Sequence, residues 1–122
     1  MNFRYKYESS LTEVQTWDYI ENRFSTDWCG IQVNMLKLVR HIIVSGLSKR
    51  LYGSTSLDKL IISIYNPIEY DRESIHISFD VLTRKWHFEY FSIPFQKSEF
   101  VRTCSEEKGI EKFQSFIEMI GW

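Results

Sequence analysis

With 122 residues, 43% of them hydrophobic and 16% aromatic, the chain has the material for one domain, residues 1–122, around one core. Fifteen basic side chains against sixteen acidic ones leave no excess of Lys and Arg of the kind that sequence-independent nucleic-acid binding requires, so no direct nucleic-acid partner is expected. The opening MNFRYKYESS mixes charges with aromatics where a signal peptide would be continuously apolar, and no run approaches the ~18 apolar residues of a membrane span; no membrane association and a cytoplasmic location are the expectation.

In chain order, Phe3, Tyr5 and Tyr7 alternate with Arg4, Lys6 and Glu8, as a short strand with one aromatic face would. Ser10 followed by Glu13 makes a capping box. Leu11, Val14, Trp17, Ile20 and Phe24 then recur at spacings of three and four, predicting an amphipathic helix that ends near Phe24. Ser25, Thr26 and Asp27 are cap formers before a second stripe, Trp28, Ile31, Met35, Leu38, Val39, Ile42, Ile43 and Leu47. Val33, Leu36 and Val44 widen it, so this helix is expected to be the most buried. Gly46 and the run Gly53-Ser54-Thr55-Ser56 punctuate the pattern and predict a loop. Leu60 to Tyr65 reads as a strand, closed by Asn66-Pro67 because proline cannot continue the ladder. A polar connection, Ile68 to Glu73, follows.

Ser74 to Ser92 organises the rest. A turn centred on Thr83 and Arg84 pairs Val81 with Trp86, Phe79 with Phe88, Ile77 with Tyr90 and Ile75 with Ser92, giving one almost wholly apolar face. The opposite face carries His76, Ser78, Asp80, Leu82, Lys85, His87, Glu89 and Phe91. Pro94 ends the hairpin, Phe100 to Cys104 supplies another strand, and Ser105 caps a last helix with Glu106 and Glu107 in its first turn. Ile110, Phe113, Phe116, Ile117 and Ile120 form that helix's apolar stripe. The expected fold class is α+β: a mainly antiparallel sheet with its central hairpin at 74–92, covered on one face by about three helices.

Three groups of residues bear on function. In the register above Asp80 lies opposite His87, and a carboxylate beside an imidazole can orient it and raise its pKa; with His76 and Lys85 on the same face, a small hydrolase or nuclease is one reading. Against it, the outer face of an antiparallel sheet is ordinarily just solvated. Two histidines that are not opposite one another, with scattered carboxylates, offer no complete ligand set, so no metal and no cofactor is expected. Cys29 and Cys104 stand outside any CxxC spacing; His41 lies about 18 Å along the helix axis from Cys29, too far to activate it, and both thiols are expected to be reduced, packed and inert. The third group, Glu69, Tyr70, Asp71 and Glu73, crowds the connection before the hairpin, where carboxylates and an aromatic ring suit a contact with a basic protein partner; Asp80 and Glu89 are further candidates for that contact.

Trp86 through Trp122, with the Phe100-Val101-Arg102-Thr103-Cys104-Ser105-Glu106-Glu107 junction and a closing helix that ends in Gly121-Trp122, resembles the C-terminal part of small bacterial toxin-immunity proteins, including those of contact-dependent growth inhibition. The resemblance implies a noncatalytic cytoplasmic protein that binds and neutralises one cognate toxin domain, frequently a nuclease. A compact aromatic-rich chain with an acidic connection fits that expectation.

Overall fold

The computed structural model describes residues 11–26, 32–66, 68–69, 72–92 and 100–122. Its elements are β1 (Leu11–Thr12), α1 (Trp17–Ser25), α2 (Val33–Val44), a 3-10 turn at Leu47–Lys49, β2 (Tyr52–Ser56), β3 (Lys59–Ser63) and β4 (Ile68–Glu69). The hairpin strands β5 (Ser74–Asp80) and β6 (Lys85–Phe91) follow, then β7 (Phe100–Ser105), a 3-10 turn at Glu106–Lys108 and α3 (Gly109–Ile120). The main sheet has the order β2-β3-β5-β6-β7 with every pair antiparallel; β1 and β4 form a separate two-stranded ribbon. All three helices pack on one face, so the fold is α+β as the hydrophobic pattern implied.

The core is where the hairpin's apolar face meets the helices. Ile75, Ile77, Phe79, Trp86 and Phe88 are buried with Ile20, Phe24, Met35, Leu38, Val39, Ile42, Phe113, Phe116 and Ile117. Tyr90 packs edge-on against Phe116 and Trp122. Trp122 is placed by the helix end: Gly121 takes the left-handed conformation, its N–H donates to Glu118 O, and the Trp122 N–H reaches back to Ile117 O.

The hairpin register departs from the expectation by two residues. Phe79 pairs with Trp86, Ile77 with Phe88 and Ile75 with Tyr90, and the turn is the four-residue loop Val81 to Arg84. The cause is local. Asp80 Oδ1 accepts the Leu82 N–H at 2.9 Å, closing a side-chain-stabilised turn directly after Asp80, and Arg84 supplies the left-handed residue (φ +58°) that returns the chain to β6. Because a shift of two preserves the faces, the inner set survives except Val81, which moves into the loop and is exposed. Asp80 therefore stands opposite Lys85, not His87, and His87 stands opposite Ser78.

Three other expectations are corrected. The first helix begins at Trp17 with Thr16 as its cap, whose Oγ1 accepts the Tyr19 N–H; the segment before it pairs with other strands instead of coiling. Tyr52 to Ser56 is an edge strand, not a loop. Gln15 guards that edge, since its N–H donates to Gly53 O and its Oε1 accepts from both the Thr55 N–H and hydroxyl. In α2, Val33 and Val44 point to solvent, so the buried stripe is narrower than the apolar count implied. The strand read at Phe3 to Tyr7, the start of the second stripe at Trp28 and Ile31, and Cys29 lie outside the described residues. Among the described residues no helix is long and apolar enough to cross a membrane.

Candidate interaction surface at one end of the sheet

The open face of β5, β6 and β7 carries cross-strand rows: His76, Glu89 and Val101; Ser78, His87 and Thr103; Asp80, Lys85 and Ser105. His76, Asp80 and His87 thus share a face, but the two-residue shift leaves Asp80 and His87 diagonal. The Asp80 carboxylate is engaged elsewhere: the Leu82 N–H, then the Thr83 hydroxyl, hold its pKa below the usual carboxylate range, with His87 a minor influence. Among the described residues, no His–carboxylate hydrogen bond forms on this face.

His76 is sequestered instead of poised for chemistry. Its ring lies 4.6 Å from that of Phe91, its cross-strand partners are Ile61 and Glu89, and its Nε2 is buried with no hydrogen-bond partner. Burial, reinforced by the positive charge of Lys59, lowers its pKa to about 4. A folded-state pKa below the ordinary 6.5 means that the neutral ring stabilises the fold fully above about pH 6.5, and that this stabilisation is lost as pH falls towards 4. The loss is expected to reach about 2 to 3 kcal/mol. Denaturant titrations between pH 7 and 4.5 should show the decline, and a His76→Leu chain should show a flatter profile over the same interval; equal slopes would mean that His76 is not the group responsible.

At one end of the sheet, two turns lie side by side. Leu60 of β3 pairs with Ile77 of β5, which brings the β2–β3 turn at Leu57 and Asp58 next to the Val81–Arg84 loop. Each turn has a left-handed residue that is not glycine, Leu57 at φ +56° and Arg84 at φ +58°, and such residues cost about 1 kcal/mol or more apiece. Each is also clamped. Arg23 Nη2 donates to Leu57 O at 3.1 Å. Arg84 makes a two-pronged contact with Glu106, whose Oε2 also accepts from the buried Asn34 amide at 2.9 Å, and this pair of donors holds the Glu106 carboxyl below its usual range. Yet the apolar side chains on the turns are presented to solvent: Leu57 is 85% exposed and Leu82 91%. Beside Leu82 lies a hollow of ≈ 360 Å³ lined by Asp58, Ser78, Phe79, Asp80, Val81, Leu82 and His87, with Leu57 next to Asp58 in the chain but outside the lining. The arrangement is two exposed leucines on neighbouring turns with tied backbones, one of them bordering a groove whose charged lining groups are two carboxylates.

Of the connection singled out from sequence, Tyr70, Asp71 and the Glu69 side chain lie outside the described residues. Glu73 is described and half-buried. Its carboxylate faces the Tyr65 hydroxyl, whose pKa it raises by hydrogen bonding, while Arg72 lies 4.6 Å over the Tyr65 ring; the Glu73 carbonyl accepts from Ser63 Oγ. Glu89 is half-buried between His76 and Val101. The exposed residues at the sheet end were missed by sequence reading, although Leu57-Asp58 and Leu82-Thr83 offered a signal: apolar residues at positions where turn chemistry favours Gly, Asn or Asp.

Cys104 is a free, half-buried thiol whose pKa is raised by burial against the opposing charge of Lys112, and no three His, Cys, Asp or Glu side chains converge among the described residues. His41 hydrogen-bonds the Gln114 side chain through Nε2 at 3.0 Å, tying α2 to α3. Comparison with protein families, curated proteins and solved structures finds no match to this chain.

Proposed function

We propose that the chain is an inhibitor-type binding protein, an immunity protein acting in the cytoplasm, that neutralises one toxin domain by docking the clamped end of its sheet against it. The observation that carries this reading is the pair of tied-down turns that expose Leu57 and Leu82 next to a groove lined by Leu82, Asp58 and Asp80. Turns whose backbones are already tied lose little backbone entropy on association, and neighbouring carboxylates complement the Lys, Arg and His of a site that handles phosphate. The acidic connection at Glu69, Tyr70, Asp71 and Glu73, and Glu89 beside Val101, are secondary contact regions in the same reading. No catalytic step by this chain is part of it.

The test is binding to the toxin domain encoded next to this chain, followed by interferometry. Asp58→Lys combined with Leu82→Asp should weaken that complex at least tenfold and slow its association. Folding should be unaffected to within about 0.5 kcal/mol, because both side chains are exposed. Wild-type affinity in the double variant would move the interface away from the sheet end, and the charge reversal Asp71→Lys with Glu73→Lys would then examine the connection. Failure of the wild-type chain to bind that domain at all would end the inhibitor reading.

A further inference from the structure

A second hollow, of ≈ 320 Å³, lies at the opposite edge of the sheet between β7 and α3. Its floor is aromatic: Phe88 from β6 and Phe116 from α3, both otherwise buried in the core. Its walls are Cys104, Thr103 and Ser115, with Met119, 62% exposed, standing over it from the helix. The two charged residues that line it, Arg102 and Lys112, are both cationic. This separates it from two other hollows among the described residues, whose linings include Asp58 and Asp80 in one and Glu106 and Glu107 in the other. Lys112 forms no ion pair among the described residues and lies close enough to Cys104 for its charge to act on the thiol.

An apolar floor with a positive rim has a definite chemical complement. We infer that the β7–α3 groove is a binding site for a small apolar carboxylate, such as a medium-chain fatty acid, whose hydrocarbon lies on Phe88, Phe116 and Met119 and whose carboxylate meets Lys112, while Arg102, whose Nη1 donates to Val101 O, adds positive charge to the rim. The volume is at the lower end of the range of about 300 to 1,000 Å³ typical of ligand pockets, which suits a ligand of roughly ten heavy atoms. A carboxylate beside an ammonium gains a charge-assisted hydrogen bond that a neutral chain of the same length does not, and because Lys112 and Arg102 are exposed the preference is severalfold and not larger. This site shares no lining residue with the hollow at the clamped turns, so it stands independently of the inhibitor reading.

The probe is decanoate, held below its micellar concentration, with decanol as its neutral counterpart. Calorimetry should show decanoate binding at least fivefold more tightly than decanol, and Lys112→Glu should weaken decanoate at least fivefold while leaving decanol unchanged. In a Cys29→Ser chain, where Cys104 is the sole thiol, saturating decanoate should slow its reaction with a disulfide reagent at least fivefold. Ser115→Trp, which fills the groove from an exposed position, should abolish both effects with the circular dichroism spectrum unaltered. Equal affinity for acid and alcohol, an unaffected Lys112→Glu chain, or a Cys104 reaction rate insensitive to decanoate would each overturn the assignment.

Discussion

Replacing Phe79 by alanine is expected to lower the stability of this protein by about 3 to 5 kcal/mol, the range for a core aromatic truncated in a packed site. Phe79 is buried on the sheet's inner face, with its ring edge-on to Trp86 at 5.3 Å between centroids. Its other neighbour is the Arg84 guanidinium, 5.5 Å from the ring centroid, which is the same group that clamps Glu106. The truncation should therefore empty core volume and loosen the Val81–Arg84 loop together. Urea denaturation gives the readout: a midpoint shift of that size with the slope unchanged. An unshifted midpoint would show that Phe79 does not contribute to the core and that the hairpin's inner face is not the one that meets the helices.

Gly109→Ala should cost a comparable amount, about 3 to 5 kcal/mol, although it adds only one methyl group. A Cβ at Gly109 would lie 2.0 Å from Nε1 of Trp86 and 2.3 Å from its Cε2. The indole cannot retreat, because Trp86 is 1% exposed, stacked on Phe88, and donates Nε1–H to Glu106 O at 3.0 Å. Either the start of α3 moves off the sheet or the indole gives up its hydrogen bond, and a buried donor left unsatisfied adds its own penalty to the overpacking. The backbone conformation at Gly109 is ordinary right-handed helix, so the glycine is required here by proximity alone. Trp86→Val removes Nε1, Cε2 and Cδ1 together. In that background Gly109→Ala should accordingly cost much less than in the wild-type chain by thermal denaturation, and simple additivity of the two losses would count against the steric account.

The alternation Ile75, Ile77, Phe79 and Trp86, Phe88, Tyr90 was enough to place the inner face of the hairpin, because a strand's side-chain period of two is written directly into residue order. The helical spacings of Met35, Leu38, Val39 and Ile42, and of Phe113, Phe116 and Ile117, likewise exposed the core sides of α2 and α3, and with them the α+β class. Pairing was less legible. A shift of two residues keeps every side chain on its face, so hydrophobicity cannot distinguish the two registers; the Asp80 carboxylate on the Leu82 N–H decides it. That shift also separated Asp80 from His87 and so took away the one acid–base pair the sequence had offered.

β2 illustrates the opposite limit. Gly53-Ser54-Thr55-Ser56 has the composition of a loop, yet it forms an edge strand because Ile-rich β3 pairs with it and because small residues let α1 come close. A Cβ at Gly53 would sit 2.9 Å from Ile20 Cδ1, and Trp17 Nε1 donates to Leu51 O at 3.0 Å across the same junction. The candidate surface is a tertiary product in the same sense. Leu57 and Leu82 are 25 positions apart in the chain, and only the β3–β5 pairing sets their turns together around Asp58 and Asp80. Residue order determined which faces are apolar, since periodicity is local. Which residues meet across the sheet, and therefore where a partner or ligand finds charge beside apolar surface, was decided by strand pairing, by the local Asp80 turn that selects one of two face-preserving registers, and by the clamps at Arg84 and Gln15, whose partners lie 22 and 40 positions away where no local pattern encodes them.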